Sequence, residues 1–305
     1  MLNKVVIYGV GLIGGSFARA LKKAGAVRHI VGMDRSRDAL LRALELGIID
    51  EVGSDASAAE LAAVLSGADL VLLAAPVAQT ERILAAILPH LGPDTVITDA
   101  GSTKSDVAAA AQRALGGSVA RFVPGHPIAG RETNGPDAAI DDLYQGKKAV
   151  LTPLPHNPAA AVERVAAAWR ACGAIIHTLT PEEHDKVFAA VSHLPHLLAY
   201  ALVDDVARKP HADLLFQYAA SGFRDFTRIA GSSPEMWRDI SLANQAALLT
   251  ELDAYLAQLT QIRASLAAGD GAVLEATYAN AQRARRQWIE AIEAAETPQP
   301  QDLAE

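Results

Sequence analysis

The chain has 305 residues, half of them hydrophobic, with aromatics at only 5% and a formal net charge of −8. That length supports two domains with a sizeable core, and the apolar fraction excludes a disordered chain. The acidic balance argues against non-specific nucleic-acid binding, so an anionic ligand would need a local cluster of Arg or His. Cys172 is the single cysteine, so no internal disulfide forms and a reducing compartment is expected. The first strand signal starts almost at Met1, and no run of about 18 apolar residues occurs, so neither a signal peptide nor a membrane span is expected. These features predict a cytoplasmic protein.

An apolar strand over residues 5–8 leads into Gly9-Val10-Gly11-Leu12-Ile13-Gly14, and a second over 29–33 ends at Asp34, 20 positions past the last glycine. Each part of this G-x-G-x-x-G fingerprint has a physical job. Gly9 permits the strand-to-helix turn, Gly11 lets the backbone approach a pyrophosphate, and Gly14 lets the helix pack closely on the sheet. The free N–H groups of the helix start, around Leu12 and Ile13, face phosphate, and the Asp34 carboxylate accepts from a ribose diol. Asp34 favours NAD by repelling a 2′-phosphate, while Arg35 and Arg37 leave NADP open. Further strand signals at 70–75, 95–98, 121–123, 149–151 and 174–179 alternate with helical patterns at 16–24, 39–46, 81–91 and 105–115. This alternation predicts an α/β, Rossmann-type doubly wound, mostly parallel sheet over residues 1–180.

From 181 the pattern is helical only, over 181–191, 195–207, 212–219, 235–268 and 272–295, with 296–305 a polar tail. The second domain, 181–295, is therefore all-α. Its long helices have little core within one chain, which predicts homodimerisation through that domain.

In open α/β sheets, ligands lie beyond the carboxyl ends of the strands. Pro76 follows one strand, in Pro76-Val77-Ala78-Gln79, a segment that could pack against adenosine or ribose. Ser102 follows the next, in Asp99-Ala-Gly-Ser-Thr-Lys104, and His126 the next, in Gly125-His126-Pro127. A hydroxyl and an imidazole there suit alcohol oxidation, one orienting the C–OH and the other taking its proton. Ser102 or Thr103 could equally cap a helix starting near Lys104. Ser192-His193-Leu-Pro195-His196 places two histidines on one side of a helix start. They could bind zinc with His126 or His184, but no acidic or cysteine partner stands at ligand spacing, so no metal is expected. Arginines among aromatics at 222–228 and 236–239 could fork onto a carboxylate, or pair at the surface with Asp225 and Asp239.

Taken in order, the glycine fingerprint, Asp99–Lys104, Gly125-His-Pro-Ile-Ala-Gly130, Ser192–His196 and Phe226-Thr-Arg228-Ile-Ala230 resemble the prephenate/arogenate dehydrogenase family of tyrosine biosynthesis. The resemblance covers nearly the whole chain. It implies oxidative decarboxylation of prephenate or arogenate with hydride transfer to a nicotinamide cofactor. It further implies that His126 accepts the hydroxyl proton, Ser102 orients substrate and histidine, Arg228 binds a substrate carboxylate, and His196 lies near the substrate with His193 beside it. Trp237 and Glu132 match positions that line or gate the site. Neither the fused mutase nor the regulatory module of some members is expected. Competing readings are a β-hydroxyacid dehydrogenase or imine reductase, for which Lys186 is the obvious candidate, and an NAD-binding dimer without turnover.

Overall fold

The computed structural model describes residues 1–131 and 133–296, the last four by backbone alone. β1 (Leu2–Tyr8) enters α1 (Leu12–Lys23), followed by β2 (Val27–Met33), α2 (Arg37–Glu45), β3 (Glu51–Val52), α3 (Ala58–Leu65), β4 (Leu70–Leu73), α4 (Thr80–Ile87), β5 (Val96–Asp99), α5 (Ser105–Leu115) and β6 (Phe122–Val123). These six strands form one all-parallel sheet in the order β3-β2-β1-β4-β5-β6. The order reverses between β1 and β4, the place where a dinucleotide crosses such a sheet. β4 is buried along its whole length, as expected of a strand covered on both faces. Along β1 the faces alternate: Val5 and Ile7 join one core, with Phe17 and Trp169, while Val6 and Tyr8 join the other, with Leu65 and Leu84.

Beyond β6 the expectation of a single sheet fails in one respect. β7 (Gly125–Pro127), read from sequence as a loop, pairs antiparallel with β8 (Lys148–Leu151). β8 pairs parallel with β9 (Ile175–Thr178), which follows α6 (Ala159–Ala171). The result is a separate three-stranded sheet, and His126 sits on its first strand, in register with Val150.

A capping box between Thr180 and Glu183, with Pro181 in the first turn, starts α7 (Pro181–Phe188). A π turn (Ala189–His193) then joins α7 to α8 (Leu194–Ala207), so two predicted helices run on as one. This stretch of 27 residues, Pro181–Ala207, is the only helix among the described residues long and apolar enough to cross a membrane by length and composition. Its His184 and His193 are nonetheless buried against polar partners of the protein.

Next come α9 (Ala212–Gln217), α10 (Ser221–Thr227) and α11 (Pro234–Ala243), then α12 (Gln245–Ala268) and α13 (Gly271–Glu296). The single helix expected over 235–268 is broken at Asn244, whose buried side chain is taken up by tertiary hydrogen bonds. By spatial grouping the chain divides into Met1–Leu248 and the part from Leu249 onward. Within the first unit lie all the elements that form the site. The second comprises most of α12, and α13, which has no buried side chain through Ile292.

Candidate active site

The fingerprint glycines do what close packing demands of them. Gly9 has φ +96°, and a Cβ there would lie 2.5 Å from the Ala74 carbonyl oxygen. A Cβ at Gly14 would lie 2.0 Å from the Gly9 oxygen, so α1 could not sit against β1. At Gly11 a Cβ would meet only Gly135 N, at 3.9 Å, so the space in front of the helix start is open. Gly11 also caps α1 without a side-chain bond, leaving the first-turn N–H groups to a ligand. The residues therefore fit a dinucleotide pyrophosphate.

Two clefts of about 500 Å³ each share a wall at Gly11, Ala74, Ala75 and Pro76. The first is lined by Asp34, Arg35, Asp55 and Arg82. Asp34 closes β2 as expected, its oxygens accepting from Val10 N at 3.1 Å and Ser36 N at 2.9 Å. The second is lined by Leu12, Ile13, Ser102, His126 and Arg131, with Met236, Asp239 and Ile240 contributed by α11. Thus Gly11, Leu12, Ile13, Pro76, Ser102 and His126, each singled out from sequence, meet at one cleft.

Ser102 does not cap the next helix. α5 starts at Ser105 with no side-chain cap of its own. Its end is held instead by Asp185 on α7, which accepts from Lys104 N and Ser105 N at 2.8 Å each. This carboxylate sits where the helix dipole favours an anion. Below it, the buried Lys104 ammonium pairs with the Asp99 carboxylate and donates to Gly125 O at 2.8 Å. Asp99 also accepts from Gly101 N at 2.8 Å and Gly125 N at 3.0 Å. One buried ion pair thus ties the strand-end loop carrying Ser102 to the strand carrying His126.

His126 hydrogen-bonds through Nδ1 to His184 Nε2 at 2.8 Å, and His184 Nδ1 to Asp185 Oδ1 at 2.9 Å. Phe188 packs on both rings, with centroids 4.9 and 4.4 Å away. Burial pushes the His126 imidazole well below its ordinary pKa, and the neighbouring His184, Lys104 and His193 add to the shift. His184 is also shifted down by burial, against the pull of Asp185. His184, Asp185, Lys104 and Asp99 carried no signal in the sequence as a group, because their spacing of 81 residues across two elements matches no local motif.

The remaining expected residues distribute as follows. His193 is buried and bonded through Nδ1 to Asn244 Nδ2 at 3.1 Å, and burial lowers its pKa to about 4. His196 bonds through Nδ1 to Ser192 O at 2.9 Å and stacks on Trp237, centroids 3.5 Å apart. His193 also faces Trp237, at 6.0 Å, so the two histidines do share a side. None of the three lines the second cleft, and Trp237 borders a separate hollow with Tyr200 and Arg238. Arg238 pairs with Asp239 at 2.6 Å, as the surface reading had it. Arg228 is exposed and does not line either cleft; the arginine among the second cleft's lining residues is Arg131, which the sequence did not single out. Glu132 lies outside the described residues. Lys186 is exposed and away from both clefts. Among the described residues no group of three His, Cys, Asp or Glu side chains is arranged to hold a metal ion.

Comparison with known proteins agrees with this geometry. Residues 17–178 match the model of the prephenate dehydrogenase nucleotide-binding domain, and 180–280 that of the prephenate dehydrogenase dimerization domain. The chain is 39% identical over 287 residues to the cyclohexadienyl dehydrogenase of Zymomonas mobilis, covering 93% of this chain and 96% of that one. The crystal structure of A. aeolicus prephenate dehydrogenase in complex with hydroxyphenyl propionate and NAD+ superposes with a TM-score of 0.83 at 36% identity, covering 96% of this chain and 99% of that one. Synechocystis arogenate dehydrogenase gives 0.76 at 30% identity, covering 93% and 99%. A dinucleotide cradle, a histidine at its far cleft and this agreement along both domains place the chain in the prephenate dehydrogenase family of oxidoreductases.

Proposed function

We propose that this protein oxidatively decarboxylates prephenate, arogenate or both, yielding 4-hydroxyphenylpyruvate or tyrosine, with NAD as the hydride acceptor. The observation that carries the reading is His126, neutral and partly exposed, on the wall of the cleft that continues from the fingerprint loop. A bound nicotinamide supplies the hydride acceptor. The substrate's C4 hydroxyl gives its proton to His126 as hydride leaves C4. The ring carboxylate departs as CO2, its electron pair enters the ring, and the resulting phenolate takes the proton back from the imidazolium. Aromatisation drives the reaction, so the protein's part is positioning and handling one proton.

Ser102, which lines the same cleft as His126, is assigned to orient the hydroxyl. A substrate with two carboxylates needs two cations in this acidic protein. Arg131 on the cleft wall provides one, and Arg228, matched by family resemblance, the other, with His196, His193, Trp237 and Glu132 assigned to the substrate side. The division at residue 180 separates a dinucleotide-binding part from a helical substrate and dimerisation part. Homodimerisation is supported by the dimerization-domain match and by α13, none of whose side chains through Ile292 is fully buried. Asp34 favours NAD, although Arg35 and Arg82 on the same wall supply cations a 2′-phosphate could use.

Initial rates for prephenate and arogenate, each with NAD and with NADP, test the reading. Turnover of at least one substrate, faster with NAD, is expected. Absence of turnover in all four combinations would overturn it, and a preference for NADP would overturn the role given to Asp34.

A further inference from the structure

We infer that His184 and Asp185 are positioning residues which hold His126 as its Nδ1–H tautomer, so that Nε2 is the ring's only proton acceptor toward the cleft. The inference rests on the proposed role of His126 as the base. It begins at the carboxylate. Asp185 receives two backbone N–H bonds from the start of α5 and one bond from His184. Burial works against its charge, but these bonds outweigh burial and hold its pKa below the ordinary carboxylate value. An ionised carboxylate only accepts, so His184 Nδ1 must carry a proton. His184 is fully buried and neutral at ordinary pH, which leaves its Nε2 bare. That nitrogen faces His126 Nδ1 at 2.8 Å, so His126 Nδ1 must be the donor. Of the two nitrogens of His126, Nε2 alone is left to accept a proton.

The chain of bonds also stabilises what forms next. When His126 takes the substrate proton, its Nδ1–H bond to His184 strengthens, with the Asp185 charge one ring further on. The charged and titratable groups around the pair are Asp185 on α7, Lys104 at the start of α5, Asp99 at the end of β5, and His193 in the π turn. Lys104 is neutralised by Asp99, so Asp185 is the net charge the relay feels.

Three variants and one spectrum test this. In Asp185→Asn the charge is lost, and the amide NH2 must face either Ser105 N–H or the two Oδ1 donors, Lys104 N–H and His184 Nδ1–H, so the His184 tautomer is no longer held by an anion. Turnover should fall roughly 10²–10⁴-fold, and the acid limb of the pH–rate profile should move down by on the order of one unit, since the imidazolium loses its anion. His184→Leu should lose a similar factor. His184→Gln, whose amide donates to Asp185 and accepts from His126, should stay within about tenfold of the parent. A structural role would lower the melting temperature in all three without separating Gln from Leu or moving the acid limb. Imidazole ¹⁵N spectra of the parent near pH 7 should show Nδ1 protonated and Nε2 bare on both rings. Nε2–H on either ring, or folded Leu and Asn variants within about threefold of the parent, would overturn the inference. The spectrum does not depend on turnover, so it decides the inference even if the proposed reaction fails. If Asp185→Asn does not fold, the His184 pair decides it.

Discussion

His126 shows how much one residue's neighbours decide. From sequence, it is a histidine between glycine and proline at a strand end, which places it rigidly but says nothing of its charge. In the fold it packs against Phe188 and His184, and burial, with smaller contributions from His184, Lys104 and His193, favours the neutral ring. A base must be neutral to act, so the depressed pKa extends the active range downward. The rate should hold as pH falls through about 6.5 and decline only well below it. Replacing His126 with Asn should cut turnover by roughly 10²–10⁴-fold while cofactor affinity, measured by fluorescence titration, is unchanged. Near-parental turnover would remove it as the base. The glycines were legible for the opposite reason. Their jobs depend on backbone sterics within one βα turn, which a local motif encodes, whereas His184 reaches His126 across 58 residues and Asp185 reaches Lys104 across 81.

Among the elements, the junction of α11 and α12 is the one the helical pattern misread. Nothing in the run from 235 to 268 resembles a stop, since Asn244 is flanked by good helix formers. The break comes from outside the helix. The Asn244 amide donates to Asp185 O at 2.8 Å and meets His193 Nδ1 at 3.1 Å, at a cost in helical geometry that tertiary bonds offset. Asn244→Ala leaves both acceptors buried without that donor. It should therefore destabilise the protein by about 1–3 kcal/mol in urea titration. An unchanged midpoint would mean the helix break does not depend on those bonds. The strand carrying His126 was missed for a related reason. Three residues around a proline carry no alternating pattern, and β7 exists only because β8 returns beside it.

At the scale of the whole molecule, three histidines, His126, His184 and His193, are held neutral by burial in one region. The unfolded chain takes up protons below about pH 6.5, while the folded protein resists doing so until much lower pH. Stability contributed by these groups is therefore intact above about 6.5 and falls as pH drops toward the folded values. For His193, with its pKa near 4, the loss amounts to on the order of 3 kcal/mol. Melting temperatures should fall steadily from about pH 7 to 4.5, and less steeply in a His193→Asn variant; a flat profile would contradict this. The sequence by itself determined the parallel sheet, the cradle for a dinucleotide, the helical second half and the strand end where Ser102 stands. These follow from short-range sterics and from periods of two and 3.6 residues. Only the tertiary structure decided which arginine lines the cleft beside His126, where the last helices break and which groups surround His126. Those outcomes depend on side chains distant in the chain and desolvated together, and no local pattern encodes a shared burial.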